Sequence, residues 1–235
     1  MATLTHITFT GVDERTDIGR LLDIQARYPR AEFGMLMAVE PTKRPNRYPD
    51  HRGAMARRLL DSVRKGVNLS AHLCGGLARE AARGNWDDVY RNCPGFPSFR
   101  RCQLNIARLK DVEGPIGHFA PPTLDELIIQ QYGADKCDAF LAIPDKYRRG
   151  VLLDASGGKG VYADPAILEG PYHVGYAGGL NADNVRAFVE TLMNDSRVGV
   201  FWIDMETGVR TSDDWMDLDK VEAVLDTVQD FVHHG

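Results

Sequence analysis

Short apolar runs separated by charged, helix-like segments recur eight times along the chain, and this alternation restricts it to an α/β architecture. Strands are expected near residues 4–10, 33–39, 68–73, 101–107, 126–131, 151–154, 173–177 and 198–204. Helices are expected over residues 17–28, 53–65, 76–92, 135–149, 181–194 and 218–233, with Asp183 and Asp217 as start signals for the last two. Eight such units in 235 residues leave about 29 residues for each, close to one strand–helix step. Strands alternating with helices predict a parallel sheet, and eight of them predict closure into a (β/α)8 barrel, a TIM barrel, spanning residues 1–235 as one domain. The competing architecture is an open doubly wound sheet, which carries G-x-G-x-x-G after its first strand. Here Thr10-Gly11-Val12 leads into the first helix without that motif. Residues 92–123, rich in Pro, Gly and Arg, break the rhythm and are expected to hold a long loop after the fourth strand, whose helix is short or missing.

Charge and composition narrow the function classes. A net charge of −5 and a pI near 5.8 argue against a nucleic-acid partner or an anionic membrane surface. No apolar run approaches the roughly 18 residues that a membrane span needs. The first residues lack the basic start and long apolar stretch of a secretory signal, so a cytoplasmic location is expected. In that compartment Cys74, Cys93, Cys102 and Cys137 are expected as free thiols, and without a C-x-x-C pair no metal site is expected.

In a barrel, chemistry gathers at the C-terminal ends of the strands. Three such ends in the last third of the chain carry glycine. Asp154 is followed by Ala155-Ser156-Gly157-Gly158-Lys159-Gly160, Ala177 by Gly178-Gly179-Leu180, and Asp204 by Met205-Glu206-Thr207-Gly208. Glycine turns let backbone N–H groups approach an anion, and turns after strands seven and eight form a recurring phosphate site in such barrels. Gly157, Gly158, Gly160, Gly178, Gly179, Thr207 and Gly208 are therefore the expected phosphate cradle, and a phosphorylated small molecule is the expected partner. Tight turns that the barrel needs for its own closure are the competing explanation of the same glycines.

These segments also carry a family resemblance. Leu152-Leu153-Asp154 with Gly157-Gly158-Lys159-Gly160 resembles the strand-six segment of the phosphoribosylanthranilate isomerases. Ala177-Gly178-Gly179-Leu180-Asn181-x-x-Asn184-Val185 is similar to their strand-seven AGGL-x-x-x-NV segment. Asp204-x-x-x-Gly208-Val209 resembles their strand-eight DVSSGVE, although Met205, Glu206 and Thr207 replace most of its small polar turn. Arg44-Pro45-Asn46-Arg47-Tyr48 is similar to the family's SPR-aromatic loop, and Gln103-Leu104-Asn105 stands where the family has Q-L-H. The resemblance is specific over residues 151–209 and loose before them.

The resemblance implies an aldose–ketose isomerase of the Amadori type in tryptophan biosynthesis, working without a cofactor. It makes Asp154 the general acid that opens the ribose ring, where a turn acceptor is the plain alternative. It makes Arg47 the holder of the anthranilate carboxylate, against a solvated arginine in a basic loop. Gln103 and Asp204 are read as substrate-binding. The chain departs from the family on strand one, where Ile7-Thr8-Phe9-Thr10-Gly11 puts Thr10 in place of the general-base cysteine of K-I-C-G. A hydroxyl is far too weak a base near neutral pH, whereas a thiol titrates near 8.5. Cys74 could approach the mouth from strand three, or it is a small buried hydrophobe. Three readings stay open: an isomerase with a replaced base, an enzyme for another phosphorylated substrate, and a non-catalytic phospho-ligand binder.

Overall fold

The structure, a computed structural model, describes residues 2–40, 44–50, 52–106, 123–132, 148–169 and 172–232. Eight strands run β1 (Thr3–Thr10), β2 (Ala31–Met37), β3 (Leu69–Cys74), β4 (Arg101–Asn105), β5 (Glu126–Gln131), β6 (Arg148–Asp154), β7 (His173–Ala177) and β8 (Val200–Met205). Each pairs in parallel with the next, and β8 pairs with β1, so the sheet closes into the expected eight-stranded barrel. Around it lie α1 (Ile18–Arg27), α2 (Ala54–Val63), α3 (Gly75–Ala82), α4 (Trp86–Asn92), α5 (Val185–Asn194) and α6 (Leu218–Val228). No helix among the described residues is long and apolar enough to cross a membrane.

The period-two alternation within the strands divides two environments. Phe9, Phe33, Leu73, Leu104, Ile129, Leu153, Tyr176 and Ile203 belong to one large apolar core with the helices. A second, small apolar cluster of Ile128, Leu152 and Trp202 lies on the alternate faces, inside the barrel. Gly175 admits the Trp202 indole there, since a Cβ at that position would lie 2.2 Å from Cε2. Polar layers sit at both ends of this plug. Toward the N-terminal ends, the Arg101 guanidinium is paired with both Glu32 and Glu126, and the other Glu126 oxygen lies 2.5 Å from His173 Nδ1. Toward the C-terminal ends stand Thr10, His72, Gln103, Asp154 and Asp204.

The helical boundaries differ from expectation where local backbone chemistry intervenes. The segment expected as one helix over 76–92 is two, because Gly84 adopts a left-handed φ of 84° and the Asn85 N–H closes back on the Glu80 carbonyl. The helix expected from residue 181 begins at Val185, since Asn181 and Asn184 build a side-chain turn ahead of it; Asp183 is not its cap. Asp217 does cap α6, accepting from the N–H groups of Asp219 and Lys220. Most of the helix expected at 135–149 lies outside the described residues, but Arg148 and Arg149 extend β6. The loop expected after the fourth strand falls mainly on residues 107–122, which also lie outside them.

Candidate active site

A cavity of about 560 Å³, part of it open to solvent, occupies the C-terminal mouth of the barrel. It brings together Thr10 from β1, His72 from β3, Gln103 from β4, Asp154 from β6, Gly178 and Gly179 after β7, and Asp204, Thr207 and Gly208 from β8 and its loop. Residues separated by nearly 200 positions meet because a closed parallel barrel sends every strand's C-terminal end to one rim. Arg47, Cys74 and Gly157 are not among the residues lining the cavity.

At its floor the Thr10 hydroxyl donates to Asp204 Oδ1 at 2.8 Å and lies 3.4 Å from His72 Nδ1. Gly34 makes this approach possible, for a Cβ there would stand 2.8 Å from Thr10 Oγ1 and 2.9 Å from His72 Nε2. Burial pushes the Asp204 carboxyl up to about 8; the Thr10 hydrogen bond opposes that shift, and the charges of Glu206, Glu32 and Asp154 add to it. Burial, with the Arg101 charge below, pushes the His72 imidazole down to about 3, so it is neutral.

Asp154 is a hub of a different kind. Its Oδ1 accepts from Ser156 N at 3.0 Å and Ser156 Oγ at 2.7 Å; its Oδ2 accepts from Gly158 N at 2.8 Å and faces Gln130 Nε2 at 3.4 Å. The N–H groups of Gly157 and Gly160 are bound within the same loop, to the Asp154 carbonyl and Ser156 Oγ. The expectation that Gly157, Gly158 and Gly160 turn their N–H groups to a phosphate is therefore corrected, because the turn itself uses them. The N–H groups of Gly178, Gly179, Thr207 and Gly208 have no acceptor among the described residues. The backbone N–H groups left open in these turns thus lie after strands seven and eight.

Two glycines in these turns answer to packing. Gly179 has a φ of 64°, and a Cβ would stand 2.2 Å from the Val161 carbonyl carbon and 2.4 Å from Tyr162 N. At Gly208 a Cβ would fall 1.9 Å from the Leu180 carbonyl oxygen. The three loops are interlocked through these contacts.

Arg47 does not present a free guanidinium. It is buried, with Nε 2.9 Å from both oxygens of Asp214, Nη2 2.6 Å from Asp214 Oδ1, and Nη1 2.5 Å from Glu206 Oε1 and 3.3 Å from Thr207 Oγ1. Its donors fasten the β2 loop to the β8 loop, and the side chain does not line the cavity. Arg44, three residues earlier, is instead the one arginine or lysine lining the cavity among the described residues. Cys74 packs beside the cavity, accepts from Asn105 Nδ2 at 3.2 Å, and is pushed up to about 11 by burial, so it stays a thiol. Cys74, expected as a possible base at the mouth, stands outside the residues lining the cavity.

Arg44, Asn105, Gln130, Ser156 and Glu206 line the cavity without having been singled out as site residues from the sequence. The period of two offered a signal for one of them: Asn105 shares the Gln103 face of β4 and accepts from its amide at 2.8 Å.

Comparison with known proteins adds a sequence pattern to this geometry. The family model for N-(5'-phosphoribosyl)anthranilate isomerase matches residues 123–227, which include the strands and turns of the Asp154, Gly178 and Asp204 segments. No curated protein matches the chain. Among solved structures, the phosphoribosyl anthranilate isomerase from Thermus thermophilus is 16% identical, with a TM-score of 0.59 over 96% of this chain and 98% of that one. The Thermotoga maritima phosphoribosyl anthranilate isomerase is 16% identical, with a TM-score of 0.58 over 97% and 100%. Thiamine phosphate pyrophosphorylase from Pyrococcus furiosus, at 13% identity and a TM-score of 0.54 over 97% and 98%, shares the barrel as well. At these identities the structural likeness speaks for the fold alone. Residues 123–227 of this barrel thus carry the sequence pattern of the phosphoribosylanthranilate isomerase family.

Proposed function

We propose that this chain is a phosphoribosylanthranilate isomerase-like enzyme, converting a phosphorylated aldose conjugate to its ketose by an Amadori-type rearrangement. One observation carries the reading: the matched segment, residues 123–227, builds the side of the cavity where the open N–H groups of Gly178, Gly179, Thr207 and Gly208 lie. A phosphate seated there would take those four donors, and Arg44 would supply the nearest cationic side chain. Asp154, at the end of β6, is the proposed acid at the ring oxygen, with Gln103 and Asn105 across the cavity to orient hydroxyls.

The reaction needs little from the protein beyond holding the sugar open and moving protons, which fits a cavity lined by carboxylates, amides and hydroxyls. The experiment is turnover of phosphoribosyl anthranilate followed through the fluorescence of the anthranilate group. Decay of the signal in proportion to enzyme is expected. A flat signal, with inorganic phosphate still bound, would assign the barrel to a different phosphorylated substrate or to binding alone. The observation favouring that second reading is Thr10, whose hydroxyl donates to Asp204 and is no base.

A further inference from the structure

An aldose–ketose rearrangement requires a group that takes the proton from C2 of the open-chain iminium, and the cavity offers few. The Thr10 hydroxyl is too weak, and the His72 imidazole has lost its basicity to burial. Asp154 carries donors on both oxygens from its own loop, and Glu206 is paired with Arg47. Asp204 remains. It is buried at the floor of the cavity, its one hydrogen-bond partner among the described residues is the Thr10 hydroxyl on Oδ1, and no cation is paired with it there.

We propose that Asp204 is the catalytic base of this barrel, removing the C2 proton through a carboxylate that Thr10 holds in position. This rests on the isomerase reading above. The C2–H bond breaks and its proton passes to an Asp204 oxygen. The electron pair forms the C1=C2 double bond, and the C1=N π electrons return to nitrogen, giving the neutral enolamine. The enol O–H proton is then lost as C1 gains one, which yields the ketose; no oxidant or reductant is involved. Thr10 is a positioning residue: its hydroxyl fixes one oxygen of the carboxylate and leaves the other for the substrate. His72 Nδ1, at 3.4 Å from Thr10 Oγ1, and Ser70 Oγ, at 3.1 Å from His72 Nε2, continue this chain across the floor.

The groups acting on Asp204 from the surrounding elements are Thr10 of β1, Glu32 of β2, Asp154 of β6 and Glu206 beyond β8, with neutral His72 of β3 beside Thr10. Burial and the three carboxylates all favour the protonated acid, so the fraction able to act as base grows as the pH rises toward about 8. A base titrating near the working pH is the most effective compromise between strength and availability.

The test is kcat/KM for phosphoribosyl anthranilate from pH 5.5 to 9.5 in the wild type, Asp204→Asn and Thr10→Val, with inorganic phosphate binding measured alongside. The wild type should rise about tenfold per pH unit and level off above about 8. Asp204→Asn should lose about 10²–10⁴-fold and keep phosphate affinity within twofold. Thr10→Val should move the limb to higher pH by removing the one bond that favours the charged form. Asp204→Asn within threefold of wild type overturns the assignment and leaves the isomerase reading intact. So does a wild-type rate that falls through pH 8, which marks an acid and needs no variant to fold. A wild type that binds phosphate and turns nothing over defeats the isomerase reading, and this assignment with it.

Discussion

Asp154 and Asp204 both end a strand and face one cavity, yet their surroundings differ. Asp154 gathers backbone and hydroxyl donors from its own turn, whereas Asp204 has a single hydroxyl and three carboxylates around it. A folded-state pKa of about 8 lies above the ordinary aspartate value near 3.9. Asp204 therefore contributes stability that is fully present below about pH 4 and is lost as the pH rises through about 8. In urea titrations the wild type should lose ground to Asp204→Asn between pH 5 and 9, because the amide never ionises. Equal slopes for the two proteins would show that Asp204 ionises in the fold as it does in water. At Arg47 the same logic concerns donors: Arg47→Ala would leave Glu206 without its counter-ion and Asp214 with Arg210 alone. A loss of about 1–3 kcal/mol in urea stability is expected, since both carboxylates keep some contact with water.

Among the elements, the turns after β6, β7 and β8 behave as one interlocked unit. Gly179→Ala would combine a left-handed backbone, costing about 1–2 kcal/mol, with a Cβ driven into the Val161–Tyr162 backbone. Lowered thermal stability together with at least tenfold weaker inorganic phosphate binding is expected. Gly199→Ala, whose Cβ would meet open space, serves as the comparison and should change neither by much. If Gly179→Ala binds phosphate as the wild type does, the β7 turn is no part of an anion site. In this unit the physical ground for a glycine is loop-on-loop packing as much as access for a ligand, and residue spacing could not separate the two.

For the whole molecule, the feature that separates this barrel from an apolar one is the charged layer beneath Trp202. Arg101 is held by Glu32 and Glu126 at the narrow end, with His173 on the far side of Glu126. Arg101→Ala would leave two buried carboxylates uncompensated and should cost about 3–5 kcal/mol, read as the shift in a guanidinium unfolding curve. Arg101→Met, which fills the volume without the charge, should be nearly as damaging, because the loss lies in the stranded glutamates. Stability close to wild type in either variant would mean that water reaches this layer and screens it.

The alternation of apolar runs and charged segments was enough to predict the barrel, because parallel strands and covering helices must each bury a face and eight repeats leave no edge open. Strand ends such as Asp154 and Ala177 were legible for the same reason: local period and turn chemistry locate them without any long-range contact. What lies across the barrel was not legible. The pairing of Thr10 with Asp204, the capture of Arg47 by Glu206 and Asp214, and the use of the Gly157–Gly160 amides by Asp154 and its turn depend on distances of a few ångströms between segments or within a folded loop. Sequence fixes which groups are present at the rim. Only the closed barrel decides which of them satisfy one another and which remain free to meet a ligand, because hydrogen bonds and desolvation act over ångströms and carry no trace along the chain.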